Sequence, residues 1–231
     1  MAGRVAYYGN IVKDGLVLDL DAAKRDSYPV SGTTWRDIAG GVATGSLING
    51  PTFDGNNGGS IVFDGADDYA SIGTNEDYNF GTNDFTIECW LYFNSLSTSQ
   101  IFISKYLTWT SNLDFVGRLL SANGKLVFYG GDSIQINLAT ISGISQSTWY
   151  HYCVSRISNV TSMYLNSILQ QTQSGTVLIP NDKTELRLGR SHDNDEPLNG
   201  RISNFRIYKG KGLSAAEVTQ NYNALRGRYG I

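Results

Sequence analysis

The chain has 231 residues and a formal net charge of −3. No basic excess is present to attract nucleic acid, and no apolar run of about 18 residues is present to span a membrane. Glycine is abundant at 26 residues, proline scarce at 4, and aromatics make up 12%, which points to many tight turns in one large all-β domain.

Residues 1–14 read as an arm or lead-in. Tyr7, Tyr8, Ile11 and Val12 give it two readings: a first strand laid on the domain, or a docking arm for another subunit. The same stretch lacks the apolar core and cleavage site of a signal peptide, so the expectation is a protein that begins in a cytoplasm. Gly15–Ala22 alternates, with Leu16, Leu18 and Leu20 on one face and Val17, Asp19 and Asp21 on the other, as a strand does. Residues 26–45 read as loop, punctuated by Tyr28-Pro29, Ser31-Gly32 and Gly40-Gly41. Trp35 is its expected anchor, and Asp37 caps the turn that follows. Two short extended pieces, Ile61–Phe63 and Tyr69–Ile72, flank Asp64-Gly65-Ala66-Asp67-Asp68.

Phe85–Phe93 is the clearest strand. Phe85, Ile87, Cys89, Leu91 and Phe93 share one face, and Thr86, Glu88, Trp90 and Tyr92 the other. Trp90 and Tyr92 need cover as well, so the strand is expected in mid-sheet with its outer face partly covered. Ile101–Lys105 is the next strand. Tyr106 to Ser111 breaks the pattern with aromatics that read as exposed. Phe115–Leu120, Leu126–Tyr129 and Ile134–Leu138 form a meander around Asn123-Gly124 and Gly130-Gly131, both of which tolerate positive φ. Trp149–Arg156 and Ser162–Gln170 read as a hairpin, with His151 and Cys153 on one face and a turn at Asn166-Ser167. Glu185–Gly189 and Gly200–Tyr208 close the strand series. Cys89 and Cys153 are read as small buried hydrophobes; a disulfide would need neighbouring strands with matching geometry.

One helix follows. Ser214 and Glu217 make a capping box, and Val218, Tyr222 and Leu225 make an apolar stripe that packs on the sandwich or on a neighbouring subunit. The plan is therefore an arm (residues 1–14), a two-sheet antiparallel sandwich (15–212), and a helix with its tail (213–231).

Several stretches resemble a known family. Ile61-Val62-Phe63-Asp64-Gly65-Ala66-Asp67-Asp68-Tyr69, Gly81 to Trp90, Trp149-Tyr150-His151 through Tyr164-Leu165-Asn166, and Gly200 to Tyr208 followed by Leu213 to Val218 resemble laminin-G-like domains. These belong to the concanavalin A-like lectin/glucanase superfamily. The resemblance implies a jelly-roll sandwich with a short C-terminal helix. The function it implies is open, because one sandwich serves lectins, glycosidases, adhesion modules and virion proteins. Asn204 stands where many relatives are acidic, and Ser167 where a turn glycine is usual. Gly15 to Ala23 with Ser27-Tyr28-Pro29 and Thr34-Trp35, together with Asn221 to Gly230, is similar to the two ends of such domains in tailed-bacteriophage structural proteins. That narrower resemblance implies a non-enzymatic virion component assembled in a host cytoplasm: a capsid decoration, tail or fibre protein. Its partners would be further copies of itself, other virion proteins and host-surface polysaccharide.

The residues that could carry chemistry are few. A retaining glycosidase needs two carboxyls about 5–5.5 Å apart, and the five glutamates, at 76, 88, 185, 196 and 217, form no paired motif. His151 and Cys153 are two residues apart on a strand with no supporting motif, and zinc ligands do not cluster. Oxygen-rich groups that suit Ca²⁺ are Asp64/Asp67/Asp68 and Asp193/Asp195/Glu196. Both also read as turn-forming or solvated acids, and the resemblance implies Ca²⁺ there as an optional ligand with no cofactor required. Saccharide contacts are expected from Tyr106, Trp109, His192, Asp193 and Asn194, since sugars are held by aromatic faces and polar loop groups; packing is the other reading for Trp109. Subunit contacts are expected from Tyr7, Tyr8, Val218, Tyr222 and Leu225. A calcium-assisted carbohydrate-binding adhesin is the alternative function, and a glycoside hydrolase is a third.

Overall fold

The computed structural model describes residues 10–41, 43–106, 113–132, 135–181 and 184–231. Tyr7, Tyr8 and Trp109, expected at contacts, lie outside the described residues. The strands in chain order are β1 (Leu16–Asp21), β2 (Thr34–Arg36), β3 (Thr44–Ile48), β4 (Thr52–Asp54), β5 (Ser60–Asp64), β6 (Tyr69–Gly73), β7 (Phe85–Phe93) and β8 (Gln100–Tyr106). They continue with β9 (Leu113–Leu120), β10 (Lys125–Gly130), β11 (Ile136–Ala139), β12 (Trp149–Ile157), β13 (Val160–Leu165), β14 (Ile168–Ser174), β15 (Leu186–Leu188) and β16 (Asn199–Lys209), and the helix α1 spans Ala215–Arg226.

Two antiparallel sheets face each other. The first runs β14-β13-β12-β7-β16-β5-β4, and the second β11-β10-β9-β8-β15-β6-β3-β2. The long strand β16 uses one edge for β7 and divides the other: its first residues, Asn199–Ile202, pair with β5, and Asn204–Tyr208 pair with β1. A register shift between Ile202 and Asn204 separates the two stretches; such a bulge bends the strand where its partner changes. β7 thus sits in mid-sheet between β12 and β16, as its doubly apolar pattern requires. Its inward face, Phe85, Ile87, Cys89, Leu91 and Phe93, joins Phe63, Phe102, Phe115, Phe128, Tyr152 and Ile202 in the core between the sheets. The turn at Asn166-Ser167 has both residues at positive φ, 50° and 64°, the left-handed pair that a two-residue hairpin demands.

β11 and β14 end the two sheets on one side, and β2 and β4 on the other. Glutamines of β14 cap the β11 side. Gln173 Oε1 accepts from the Asn137 N–H at 3.0 Å, Gln171 Oε1 from Ala139 at 2.8 Å, and Gln170 Oε1 from Ile141 at 3.1 Å. Backbone donors that would otherwise offer a pairing edge to another chain are thereby occupied.

The structure corrects three expectations. Trp35 is fully buried, as an anchor should be, yet it lies on β2 rather than in loop. β3 and β4 were not read from the sequence at all. Tyr106 is not exposed but 1% accessible, at the buried end of β8. Asp19 and Asp21, on the face of β1 opposite the leucines, are both fully buried. Asp37 does cap its turn, accepting the Ala39 and Gly41 N–H groups at 2.8 and 3.0 Å.

The outer face of the first sheet explains the buried acids. α1 begins with its capping box intact at Ser214 and Glu217 and lies over β7, β12 and β16. Val218 is fully buried with Cys153, Tyr164, Tyr208 and Leu213, and Tyr222 and Leu225 pack on Trp90, Trp149 and Tyr229. The helix stripe is therefore spent on the chain's own sheet, and Val218 in particular has no surface left for another subunit. Residues just before β1 dock here too: the Val12 N–H donates to Asn221 Oδ1 at 2.8 Å, and Tyr208 donates to the Val12 carbonyl at 3.0 Å.

Candidate functional site

The loops β5–β6, β7–β8 and β15–β16 gather at one place on the sandwich. Asn94 N–H donates to the Asn199 carbonyl at 2.9 Å, and Ile101 N–H to the Glu196 carbonyl at 2.8 Å. Arg190 reaches the Asp67 carbonyl at 3.3 Å while its Nε and Nη2 hold the Asn194 carbonyl at 3.1 and 2.9 Å. A cavity of about 480 Å³ opens there, lined by Ile101 and Tyr106 of β8, Arg118 of β9, and Ser191, Asp193, Asp195 and Glu196 of the β15–β16 loop. A second, of about 530 Å³, is lined by Gly65, Ser95, Ser97–Ser99, Glu196, Pro197 and Asn199. Glu196 is the wall they share.

The cavity has an apolar side and a polar rim. Ile101 and Tyr106 belong to an apolar cluster with Leu113 and Val116. The Tyr106 hydroxyl donates to Asp193 Oδ2 at 3.1 Å, and burial pushes its phenol up to about 12, so it stays a donor. Arg118 grips Glu196 with two N–H groups, Nε to Oε2 at 2.6 Å and Nη2 to Oε1, the fork geometry that fixes a carboxylate's plane. Ser191 Oγ accepts the Asp195 N–H at 2.8 Å.

Of the saccharide-contact residues read from the sequence, Tyr106 and Asp193 line this cavity. His192 does not: it is half-buried, its ring lies 5.4 Å from that of Tyr106 edge-on, and its Nε2 donates to the Glu185 carbonyl at 2.9 Å. Burial, helped by the Arg187 charge, lowers its pKa and favours the neutral ring. Asn194 is exposed, with its carbonyl bound by Arg190 and its Oδ1 3.4 Å from Arg187 Nη1. Ser191, in the loop 191–196 expected at a saccharide, lines the cavity too, whereas Arg118 and Ile101 carried no such expectation. The one available signal was a lone arginine inside the apolar run Phe115–Leu120.

The two acidic groups differ. The carboxylate oxygens of Asp64, Asp67 and Asp68 lie within 4.8 Å of one another, the one such convergence among the described residues. Asp193, Asp195 and Glu196 do not converge, because Glu196 is turned to Arg118 and Asp193 to Tyr106; as a single metal group that expectation is corrected. At the first group Asp64 Oδ1 accepts the Ala66 N–H at 2.8 Å and Asp68 Oδ2 the Asp64 N–H at 3.1 Å. The Asp68 pKa is raised by burial and further by the charges of Asp64 and Asp67, against the backbone hydrogen bond. Three crowded carboxylates are the hard-oxygen donor set that suits Ca²⁺, and these residues would hold it.

A separate charged cluster lies beneath α1, away from both cavities. Arg206 Nε donates to Asp19 Oδ1 at 2.8 Å, and its Nη1 to Glu88 Oε1 at 3.2 Å. His151 Nε2 lies 3.2 Å from Glu88 Oε2, and Asn221 Nδ2 donates to Glu88 Oε1 at 3.0 Å. Arg228 of the tail holds both oxygens of Asp21, at 2.9 and 3.2 Å. Burial alone would raise the Glu88 carboxyl; the hydrogen bond and charge of His151, then Arg206 and Asn221, outweigh it and hold it at about 2. Cys153 shares this outer face, while Cys89 is in the inner core. The two cysteines are free and point to opposite sides of one sheet.

Comparison with known proteins meets this architecture from two directions. A family profile described as the concanavalin A-like lectin/glucanases superfamily matches residues 64–219. The chain belongs to that superfamily. Solved structures that share the fold include Trypanosoma rangeli sialidase, 14% identical, covering 93% of this chain and 33% of that one with a TM-score of 0.70. The binding domain of Paraclostridial mosquitocidal protein 1 is 18% identical, covering 92% of this chain and 52% of that one with a TM-score of 0.71. The receptor binding domain of botulinum neurotoxin C/D mosaic serotype is 16% identical, covering 91% and 51% with a TM-score of 0.68. The chain spans between a third and about half of these structures. No curated protein matches it. At such identities the shared feature is the sandwich itself.

Proposed function

We propose that this chain is a non-catalytic carbohydrate-binding module that offers the cavity between β8, β9 and the β15–β16 loop to a saccharide. The cavity carries the reading: around the nearly sealed Ile101 and Tyr106 it sets a guanidinium, a serine and three carboxylates, polar groups placed to hold a polyhydroxylated ring by hydrogen bonds. Membership of a lectin-containing superfamily supports it, as do two fold neighbours named as binding domains of toxins. A non-catalytic role is supported by the ground-state commitments of the acids. Glu196 is clamped by Arg118, Asp193 by Tyr106, and the fully buried Glu88 is shifted downward, opposite to the direction a general acid needs. The test is a glycan array followed by titration of the hits against the native chain and Arg118→Ala. Saccharide affinity that falls at least tenfold in the folded variant supports this cavity as the site; absence of any retained glycan overturns the reading.

We place the module in a tailed-bacteriophage virion, as a decoration, tail or fibre component, on the resemblance of its two ends. Those ends meet in the fold: Asp21 of the first stretch is bound by Arg228 of the second. Part of the resemblance is thus spent on packing, and the helix stripe is withdrawn as support for self-association. Mass spectrometry of purified particles checks the placement. A calcium-assisted adhesin is the second reading, favoured by the convergence at Asp64, Asp67 and Asp68. A thermal transition that ignores both added Ca²⁺ and chelator would remove it.

A further inference from the structure

We infer, building on the carbohydrate-binding reading, that the cavity selects a saccharide bearing a positive charge: an amino sugar with a free amine rather than an acetylated or acidic one. Its wall holds Asp193, Asp195 and Glu196 against one guanidinium, Arg118. These groups are unequally available. Arg118 is turned to Glu196 by a bidentate pair, so those two charges largely offset each other. Asp193 holds one donor, the Tyr106 hydroxyl. Asp195 is exposed, and its carboxylate has no hydrogen bond or ion pair among the described residues, while its backbone is fixed by Ser191.

The remaining cations near the loop face elsewhere. Arg187 pairs with Glu185 and donates to the Ser191 carbonyl at 3.2 Å and to Asn194 Oδ1. Arg190 is bound to the carbonyls of Asn194 and Asp67. Lys105 is paired with Asp114, both buried. Beyond Arg190 come the further acids Asp64, Asp67 and Asp68. The mouth is therefore net negative from every side described.

An ammonium group brings three donors and a charge opposite to this field. Acetylation removes the charge, and the carboxylate of an acidic sugar repels Asp193 and Asp195, a penalty that sets specificity more than affinity. One favourable contact between a ligand charge and a partly solvated carboxylate is expected to be worth roughly tenfold, about 1.4 kcal/mol.

The experiment is calorimetric titration of the full chain with a β-1,4-linked glucosamine oligomer, its N-acetylated counterpart and a sialylated oligosaccharide of similar size. It is run at mildly acidic pH, where the sugar amine is protonated, at low and high salt. The free-amine oligomer should bind about tenfold more tightly than the acetylated one. The gap should narrow at high salt and close in Asp195→Asn, with the loss of affinity falling mainly on the free-amine form. Equal or tighter binding of the acetylated or sialylated ligand, or a gap indifferent to Asp195→Asn, overturns the charge selectivity and leaves the carbohydrate reading standing. No binding by any of the three, together with an empty glycan array, removes both.

Discussion

Arg206 and Asp19 are 187 residues apart in the chain, and in the fold the guanidinium Nε of one sits 2.8 Å from the carboxylate of the other with both side chains essentially sealed from solvent. β16 carries the arginine and β1 the aspartate, paired register to register, and α1 closes over them. The same guanidinium also serves Glu88 of β7. One cation thus ties the beginning, middle and end of the chain beneath one helix.

Removing that cation should be costly. Arg206→Met would leave Asp19 buried without its guanidinium and Glu88 with one counter-charge fewer, and uncompensated buried charge costs about 3–5 kcal/mol. Urea unfolding followed by circular dichroism should show a loss of that size. A change below about 1 kcal/mol would mean that the cluster is hydrated and does not hold the helix down.

Acid should loosen the same region. Glu88 is depressed from 4.5 to about 2 in the folded state, so its contribution is complete above its unfolded pKa and disappears as pH falls from about 4.5 toward 2. Asp21 is shifted the same way and adds to the effect. Linkage puts the Glu88 contribution on the order of 3 kcal/mol. Stability measured against pH should decline in that window for the native protein, and Glu88→Gln should flatten the slope there while lowering stability at neutral pH. A variant with an unchanged acid slope would contradict the assignment.

Tyr229 should anchor the tail. Its ring stacks on Trp90 at 4.0 Å and lies 4.8 Å from Trp149. Tyr229→Ala removes a nearly buried aromatic from between two indoles, a change expected to cost about 3 kcal/mol. Tryptophan emission should shift to the red as water reaches Trp90, and hydrogen exchange should quicken over residues 215–231. Unaltered emission would place the tail's anchorage elsewhere, on the Arg228–Asp21 pair.

The cysteines should stay silent until the protein unfolds. Burial pushes both thiols well above their usual range, and the thiolate is the reactive form. An aromatic disulfide reagent should label neither in native buffer and both in denaturant, with no change on prior reduction. Rapid labelling of one thiol under native conditions would mean that its sheet face opens.

Much of this was legible in the residues themselves. Strict alternation over Phe85–Phe93 and Trp149–Arg156 placed two strands and their inward faces, because side chains of a strand alternate whatever its neighbours are. Positive-φ turn residues marked the hairpins, and Ser214 with Glu217 marked the helix start, since capping is completed within one turn. What failed had partners far along the chain. Alternation set Asp19 and Asp21 opposite the leucines but could not say that a helix some 200 residues later would cover that face, or that Arg206 and Arg228 would lie there. The cavity depended in the same way on tertiary structure: Arg118 meets Glu196 across 78 residues, and only the stacking of β8, β9 and the β15–β16 loop brings them together with Tyr106. Local sequence acts through steric preferences that span a few residues, whereas burial and charge pairing are settled by which strands become neighbours.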